Sequence, residues 1–276
     1  MSFFSAEELA RIVDARADVE NRFKRLQQTL LSRKFKSERA QEYARQGLGR
    51  RIDEMNRAIE FIFDILPPEQ EAAPETYNRV VTTMLLQSYF MNVQGCLDNI
   101  AWIWVYETNQ KDRDGGTLKR GLVGLGDGHR YLMRSFSCSF RAHIRGLRKW
   151  FRHVAEFRDS AAHRIPLYVP PYFILGADAS EYERLGREAS SAYQRDDFDA
   201  YDKFRERQDA LGRYRPIISH SPVEGSPSCV FHKQVLQDFM TIDEITQKLL
   251  VEIDNFKPNV KPSWINSILT RFWGRA

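Results

Sequence analysis

The sequence predicts a mainly α-helical protein, and three observations carry that prediction. Apolar residues recur at spacings of three and four over long stretches. The sharpest run is Leu86, Phe90, Val93, Leu97, Ile100 and Trp104, stepping by 4, 3, 4, 3, 4, which is the seam of a helix bundle. Helix start and stop signals bracket these runs, with Ser5 and Glu8 forming a capping box and Pro67-Pro68 ending a later run. Alternating, strand-like stretches are short and confined to the second half. With 276 residues, 42% of them hydrophobic and 12% aromatic, the chain can bury a core as one large domain.

Taken in order, the first helix opens at Ser5 and places Leu9, Ile12, Val13, Val19, Phe23, Leu26 and Leu30 on one stripe. A second starts at Ser37 and runs through Ile52, Met55, Ile59, Ile62 and Phe63 to Pro67, with Gly47 and Gly49 weakening its first half. Residues 1–73 are thus expected to be N-terminal helices. The most apolar helix spans Pro74 to about Glu107. Asn92, Gly95 and Asn99 lie on a second face of it, and small and amide residues there predict close helix contact. Residues 109–128 read as a flexible loop. Its run Gly121, Gly124, Gly126, Gly128 lacks the Gly-Lys-Ser/Thr ending of a phosphate loop and follows no strand.

A basic helix is expected from about Ser139 to His163, ended by Pro166, Pro170 and Pro171. Leu167 to Leu175 is extended. Ser180 to about Leu211 reads as one charged, solvated helix. Tyr214 to His220 and Cys229 to His232 read as short strands, which could pair with each other and with Leu167 to Ile174. A last core helix runs from about Lys233 to Phe256, with Val235, Phe239, Ile242, Ile245, Leu249 and Ile253 inside. The organisation is therefore a single domain over 1–276: N-terminal helices to 73, a core over 74–175, then a charged helix, strands and last core helix over 176–262, and a tail over 263–276. In that tail Ile265, Ile268, Leu269, Phe272 and Trp273 share a helical face. It could lie on a membrane surface, meet a partner or pack on its own domain.

Lys and Arg number 41 and Asp and Glu 37, a net charge of +4. That balance implies no partner; the placement of charge matters more. Cys96, Cys138 and Cys229 are far apart and form no CxxC pair, so free, mostly buried thiols in a reducing compartment are expected. Residues 1–8 have no basic n-region, and no stretch reaches about 18 apolar residues. A cytoplasmic protein without a membrane span is the expectation.

The chemistry-bearing segment is Arg158-Asp159-Ser160-Ala161-Ala162-His163. On one continuous helix, Phe140, Ile144, Leu147, Phe151, Val154 and Ala161 step by 4, 3, 4, 3 and 7. Arg158 fills the gap in the last step, which puts a guanidinium on the line that faces the core. It then needs a carboxylate, backbone carbonyls or a bound anion. Asp98, which shares a face of the preceding helix with Gln94, is a candidate partner across the bundle. Asp159 and His163, four apart, share a helix face, so Asp159 could orient the imidazole. Arg158 and His163 are five apart, about 140° around an ideal helix. A long arginine and a histidine at the helix end could still meet at one phosphate. Such a pair suits RNA cleavage without a metal: histidine moves a proton, arginine holds the phosphate and its developing charge, and the 2′-hydroxyl is the nucleophile.

Arg158-Asp159-x-x-x-His163 near the end of a core helix resembles the signature of the HEPN superfamily: arginine, a polar residue, three residues, histidine. The resemblance covers about 75–175 in helix order and six residues in the motif. The stretch Arg164 to Pro171 resembles a group of bacterial HEPN-like proteins. The resemblance implies a helical bundle that forms a homodimer with its motifs facing each other. It implies a metal-independent endoribonuclease, with no cofactor, acting as a toxin or in phage defence, its site taking Arg and His from both chains and an antitoxin as a possible partner. Other members have lost activity and serve as binding modules. Carried over, Arg158 stabilises phosphate, His163 is general acid or base, and Asp159 positions them. The region from 175 to 230 and the N-terminal helices exceed a minimal HEPN bundle.

Arg141, Arg145, Arg148 and Arg152 form a stripe, with Lys149 beside it. The stripe could bind RNA, with Trp150 and His153 stacking on bases. Equally it could be a solvated face, salt-bridged to Glu and Asp of the 180–210 helix. His143, His153 and His163 recur every ten residues, or about 280°, so they do not align as metal ligands. The competing reading of the whole is a non-catalytic helical interaction module, with Arg158 and Asp159 in a core ion-pair network and His163 capping the helix C-terminus.

Overall fold

A computed structural model of the chain describes residues 3–221 and 228–257. The fold is mainly α-helical. Helix α1 (Ala6–Ser32) starts at the capping box: the Ser5 hydroxyl accepts from the Glu8 amide at 3.2 Å, and the Glu8 carboxylate accepts from the Ser5 amide at 3.0 Å. Ile12, Val19, Leu26 and Leu30 are buried, whereas Val13 is 56% exposed and lies off the stripe. The second helical run is α2 (Glu38–Glu42), a π-helical stretch Tyr43–Leu48, and α3 (Gly49–Ile65). The π stretch contains Gly47 and ends just before Gly49. The missing Cβ of Gly47 also admits a neighbour, since a Cβ there would lie 3.0 Å from the Asn99 side chain.

Helix α4 (Thr76–Glu107) is the central element, packing against α3 and, further along the chain, against the elements that carry the site. Every seam position from Leu86 to Trp104 is at most 2% exposed. The amide face makes the expected close contact. Arg51 of α3 lies over Gly95, where a Cβ would meet its guanidinium carbon at 2.4 Å, and Arg51 Nη1 donates to Asn92 Oδ1 at 2.9 Å.

The basic helix is not continuous, which corrects the expectation. After the short α5 (Arg130–Met133) come α6 (Cys138–Gly146) and α7 (Arg148–His163), separated at Leu147 (φ −88°, ψ 8°). The charged helix is also two: α8 (Ala179–Gln194) and α9 (Phe198–Ala210) form a hairpin turned at Asp196, whose φ of 57° is left-handed, with Asp197 capping α9. Strands β1 (Ile217–Ile218) and β2 (Cys229–Val230) pair antiparallel, as expected but shorter. Leu167 to Ile174 does not join them as a strand; single bridges link Tyr168 to Ser219 and Phe173 to Arg213. Helix α10 (Phe231–Asp254) closes the core.

One buried cluster runs from Phe4 to Leu249 through α1, α3, α4, α7 and α10. Its joints are specific. Phe90 of α4 stacks on Phe157 of α7 at 4.8 Å, and the Tyr89 hydroxyl donates to the Val235 carbonyl of α10. Trp104 stacks on Phe136 at 4.3 Å, ahead of α6. Among the described residues no helix is long and apolar enough to cross a membrane. The apolar face of the tail, Ile265 to Trp273, lies outside the described residues.

Candidate functional site

Within α7 the core line steps from Val154 to Phe157, and this decides where the motif side chains go. On α7 the buried positions are Val154, Phe157 and Ser160. Arg158 is therefore beside the core line rather than on it, with its side chain 31% exposed, and this corrects the counting by sevens. Its Nη1 pairs with Asp159 Oδ1 at 2.8 Å. Asp159 is thus spent on the arginine rather than on orienting His163. No ion pair joins Arg158 to Asp98 among the described residues; Asp98 accepts from Gln94 Nε2 at 3.1 Å instead. His163, the last residue of α7, is exposed.

Arg158 and Asp98 nonetheless face one cavity of about 900 Å³. Four stretches of chain build it. Helix α4 contributes Gln94, Leu97 and Asp98; the segment 125–134 contributes Asp127, His129, Arg130 and Arg134. Helix α6 adds Arg141, Ile144 and Arg145, and α7 adds Arg148, Phe151, Arg152, Ala155 and Arg158. The stripe read from the sequence thus lines a concave wall. Lys149 does not line it, and neither do Asp159 and His163. The floor is apolar, with Leu97, Leu125, Met133, Ile144 and Phe151.

Seven arginines against two carboxylates leave a formal surplus of five positive charges on this lining. Only part of it is neutralised. Arg148 is held by Asp127 at 2.8 Å, so the salt-bridged reading holds for that residue but with a partner outside the 180–210 region. The acidic residues there serve their own arginines: Arg184 binds Glu181 and Glu188, and Arg207 lies 3.6 Å from Glu181. Arg141 donates to Cys138 Sγ and Arg145 to the Arg141 carbonyl. No carboxylate pairs with Arg130, Arg134, Arg145 or Arg152 among the described residues. Converging guanidiniums with no carboxylate partner repel one another, and a bound anion relieves that repulsion.

No protein-family model, no curated protein and no solved structure matches the chain. Its own geometry defines the site. That geometry brings together residues no local pattern joined. His129, Arg130 and Arg134 precede the basic helix, in and after the glycine-rich loop. The loop is a wall of the cleft: Gly126 has a φ of 100°, and the His129 ring lies so close to Gly124 that a Cβ there would sit 2.5 Å from it. His129 Nδ1 and Arg158 Nε are buried without hydrogen-bond partners. The glycine spacing was the one available signal for this wall.

Trp150 and His153, expected to stack on bases, face the other way. Trp150 Nε1 donates to Asp238 Oδ1 of α10 at 2.7 Å, and His153 packs on Phe157 at 4.7 Å. Phe151 is the aromatic residue of α7 that lines the cleft. Burial raises the Asp238 carboxyl to about 7, against the hydrogen bonds from Trp150 and Gln234, and burial lowers His153. Cys96 is buried and Cys229 partly so, but Cys138 is exposed. No group of three or more His, Cys, Asp or Glu able to hold a metal ion occurs among the described residues.

Proposed function

We propose that this protein seats RNA in the arginine-lined cleft and cleaves it as a metal-independent endoribonuclease of HEPN type. The observation that carries the proposal is the cleft itself, with Arg158 on a wall where four other arginines have no carboxylate partner. Guanidinium groups bind phosphate bidentately, which is the requirement for holding an RNA backbone. Arg158 grips the scissile phosphate and stabilises the charge on its pentacoordinate transition state. The 2′-oxygen attacks the adjacent phosphorus and the bond to the 5′-oxygen breaks. The products are a 2′,3′-cyclic phosphate and a 5′-hydroxyl. His163 transfers the proton, to the leaving oxygen or from the attacking hydroxyl.

Within one chain, His163 stands at the exposed end of α7, away from the cleft lining. The complete site therefore joins Arg158 of one copy to His163 of another, in a homodimer. A cytoplasmic toxin or phage-defence role, with an antitoxin to restrain it, follows from the HEPN resemblance.

The test is cleavage of a mixed RNA pool in EDTA by the wild type and by Arg158→Ala/His163→Ala, with end-group analysis. EDTA-resistant cleavage that leaves 2′,3′-cyclic ends and disappears in the double variant is the expected result. Intact RNA, with the dimer confirmed, overturns the enzyme reading.

One observation favours a second reading. Arg158 is already paired with Asp159 at 2.8 Å, and His163 is outside the cleft. On that reading the protein is a non-catalytic interaction module that binds a polyanion without cutting it.

A further inference from the structure

The hairpin of α8 and α9 ends in a surface that RNA cleavage leaves unused. Its two helices pack chiefly on each other, with Leu185, Ala189 and Ala192 of α8 buried between them. Its base is tied down. The Tyr172 hydroxyl donates to Asp209 Oδ1 at 2.8 Å, and Gln208 Nε2 donates to the Tyr182 carbonyl at 2.9 Å. From Tyr182 the helix runs about 18 Å to its end at Gln194. There every residue from Tyr193 to Asp199 is exposed.

The tip is aromatic and acidic at once. Tyr193 is 59% exposed and Phe198 54%. Their rings meet edge to face at 5.9 Å, and Tyr193 also meets Tyr201 at 5.7 Å. Large apolar groups clustered in water mark a docking surface. Around them stand Asp196, Asp197, Asp199 and Asp202, none of them in an ion pair among the described residues. The cations of the same stretch are Arg195, bonded to Ser191 Oγ at 2.7 Å, and Lys203. Four carboxylates against two cations leave the tip negative.

The same chain carries the complementary surface. The cleft has a guanidinium rim, with Arg130, Arg134, Arg145 and Arg152 free of carboxylates, and an apolar floor that includes Met133 and Phe151. Carboxylates suit that rim, because they bind guanidinium bidentately. Aromatic rings suit the floor and also the face of a guanidinium. We infer that the hairpin tip of one copy docks in the arginine-lined cleft of a second copy. Phe198 and Tyr193 lie on the floor, and Asp199 and Asp202 meet Arg145 and Arg152 on the rim. The tip is exposed in the single chain, so no chain fills its own cleft. Each ring buries about 150–250 Å² on docking. That is small for one hairpin, and two reciprocal contacts, each copy lending its tip to the other, close the pair and double the area. Arg158 lines the same cleft, so the docked tip covers it and excludes RNA. This pair is a resting assembly, separate from the dimer that joins Arg158 to His163. The inference goes beyond the ribonuclease reading and does not rest on it.

The experiment is sedimentation velocity of the full chain and of two charge-reversal variants, over about 1–100 µM and at about 50 and 500 mM salt. Asp199→Arg/Asp202→Arg makes the tip cationic, and Arg145→Glu/Arg152→Glu makes the rim acidic. All four side chains are exposed, so both variants keep the fold. The wild type is expected to pair with a Kd below about 100 µM at low salt and about tenfold or more weaker at high salt. Each variant alone should pair about tenfold or more weakly, since like charges then face each other. An equimolar mixture of the two should regain the pairing, because each tip then matches the other's cleft. Tyr193→p-benzoylphenylalanine, photolysed in a mixture of heavy and light isotopic protein, should give adducts between copies on the cleft lining. A wild type that stays monomeric at about 100 µM overturns the inference and leaves the tip to a different partner. A mixture that stays apart overturns it too. Pairing that both variants keep, with no adducts on the lining, assigns the dimer to the Arg158–His163 arrangement and equally overturns it.

Discussion

Trp150 Nε1 donates to Asp238 Oδ1 at 2.7 Å, and this bond ties the helix carrying Arg158 to the last core helix. Gln234 Nε2 donates to the same oxygen at 2.6 Å, while Oδ2 is buried with no partner. The half-satisfied carboxyl is what burial raises to about 7. The folded state then holds a proton that the unfolded chain releases near 3.8, so this group lowers stability as pH rises from about 4 to about 7. His232 does the opposite. Burial between Phe63 and Phe231 drops it from 6.5 to about 4, so the unfolded chain takes up a proton first and stability falls as pH drops from 6.5 to about 4. Each slope is at most about 1.4 kcal/mol per pH unit.

The first prediction follows from that opposition. In the wild type the two slopes largely cancel between about pH 4 and 6.5. Asp238→Asn removes the falling limb and leaves His232, with His143 and His153 lowered in the same sense. The variant is expected to lose stability on acidification more steeply than the wild type. Urea denaturation at pH 4.5, 5.5, 6.5 and 7.5 measures this. Parallel curves for the two proteins would show that Asp238 titrates normally.

A second prediction concerns the cleft rim. Arg145 and Arg152 are exposed and bind no carboxylate, so replacing both with Ala should leave stability within about 0.5 kcal/mol. RNA affinity should fall, and its dependence on salt should flatten. Every phosphate of single-stranded RNA that an arginine neutralises adds roughly 0.7 to the steepness of log K against log salt, so removing the pair should take away about 1.4. Fluorescence anisotropy over a salt series gives the slope. An unchanged slope, even with weaker binding, would place the backbone elsewhere.

How far the site could be read from the sequence turns on two places. The α4 seam was fully legible, because one unbroken helix keeps its phase from Leu86 to Trp104 and all six side chains are buried. The α7 phase was not. From Val154 the next core position is either three or four residues on, Phe157 or Arg158; a step of four keeps the repeat to Ala161 but passes over Phe157, which is the residue that is buried. The core line then ends at Ser160, whose hydroxyl donates to the Glu156 carbonyl at 2.9 Å. A serine satisfied by its own helix gives no sequence signal of burial. The arginine stripe was legible as a face. That it lines a cleft was not, because His129, Arg130 and Arg134 come from another stretch and only packing assembles them.

The third prediction tests whether the site is shared between copies. Arg158→Ala and His163→Ala should each be inactive, and both should keep near wild-type stability, since neither side chain is buried. In a two-fold dimer where each site takes Arg158 from one copy and His163 from the other, a mixed dimer of the two variants has one fully intact site. Mixing and re-equilibrating the two inactive proteins should restore cleavage. If each chain used its own pair, every site in the mixture would lack one member, and mixing would restore nothing.

The last prediction uses the close approach of α3 and α4. Gly95 is buried, and the Arg51 guanidinium occupies the space a methyl would take, at 2.4 Å. Moving Arg51 aside breaks a hydrogen bond. Its Nη1 donates to Asn92 Oδ1 at 2.9 Å, and Asn92 in turn donates to Glu54 at 2.8 Å. Gly95→Ala should gain up to about 1 kcal/mol of helix propensity and lose roughly 1–3 kcal/mol to overpacking and a displaced guanidinium. The net expectation is destabilisation. Removing the obstacle should reverse its sign: in an Arg51→Ala background the same Gly95→Ala change should stabilise, because only the propensity gain remains. Thermal or urea denaturation of the four proteins completes the double-mutant cycle. A Gly95→Ala effect of equal size in both backgrounds would mean that the methyl is resisted by the α4 backbone environment and not by Arg51.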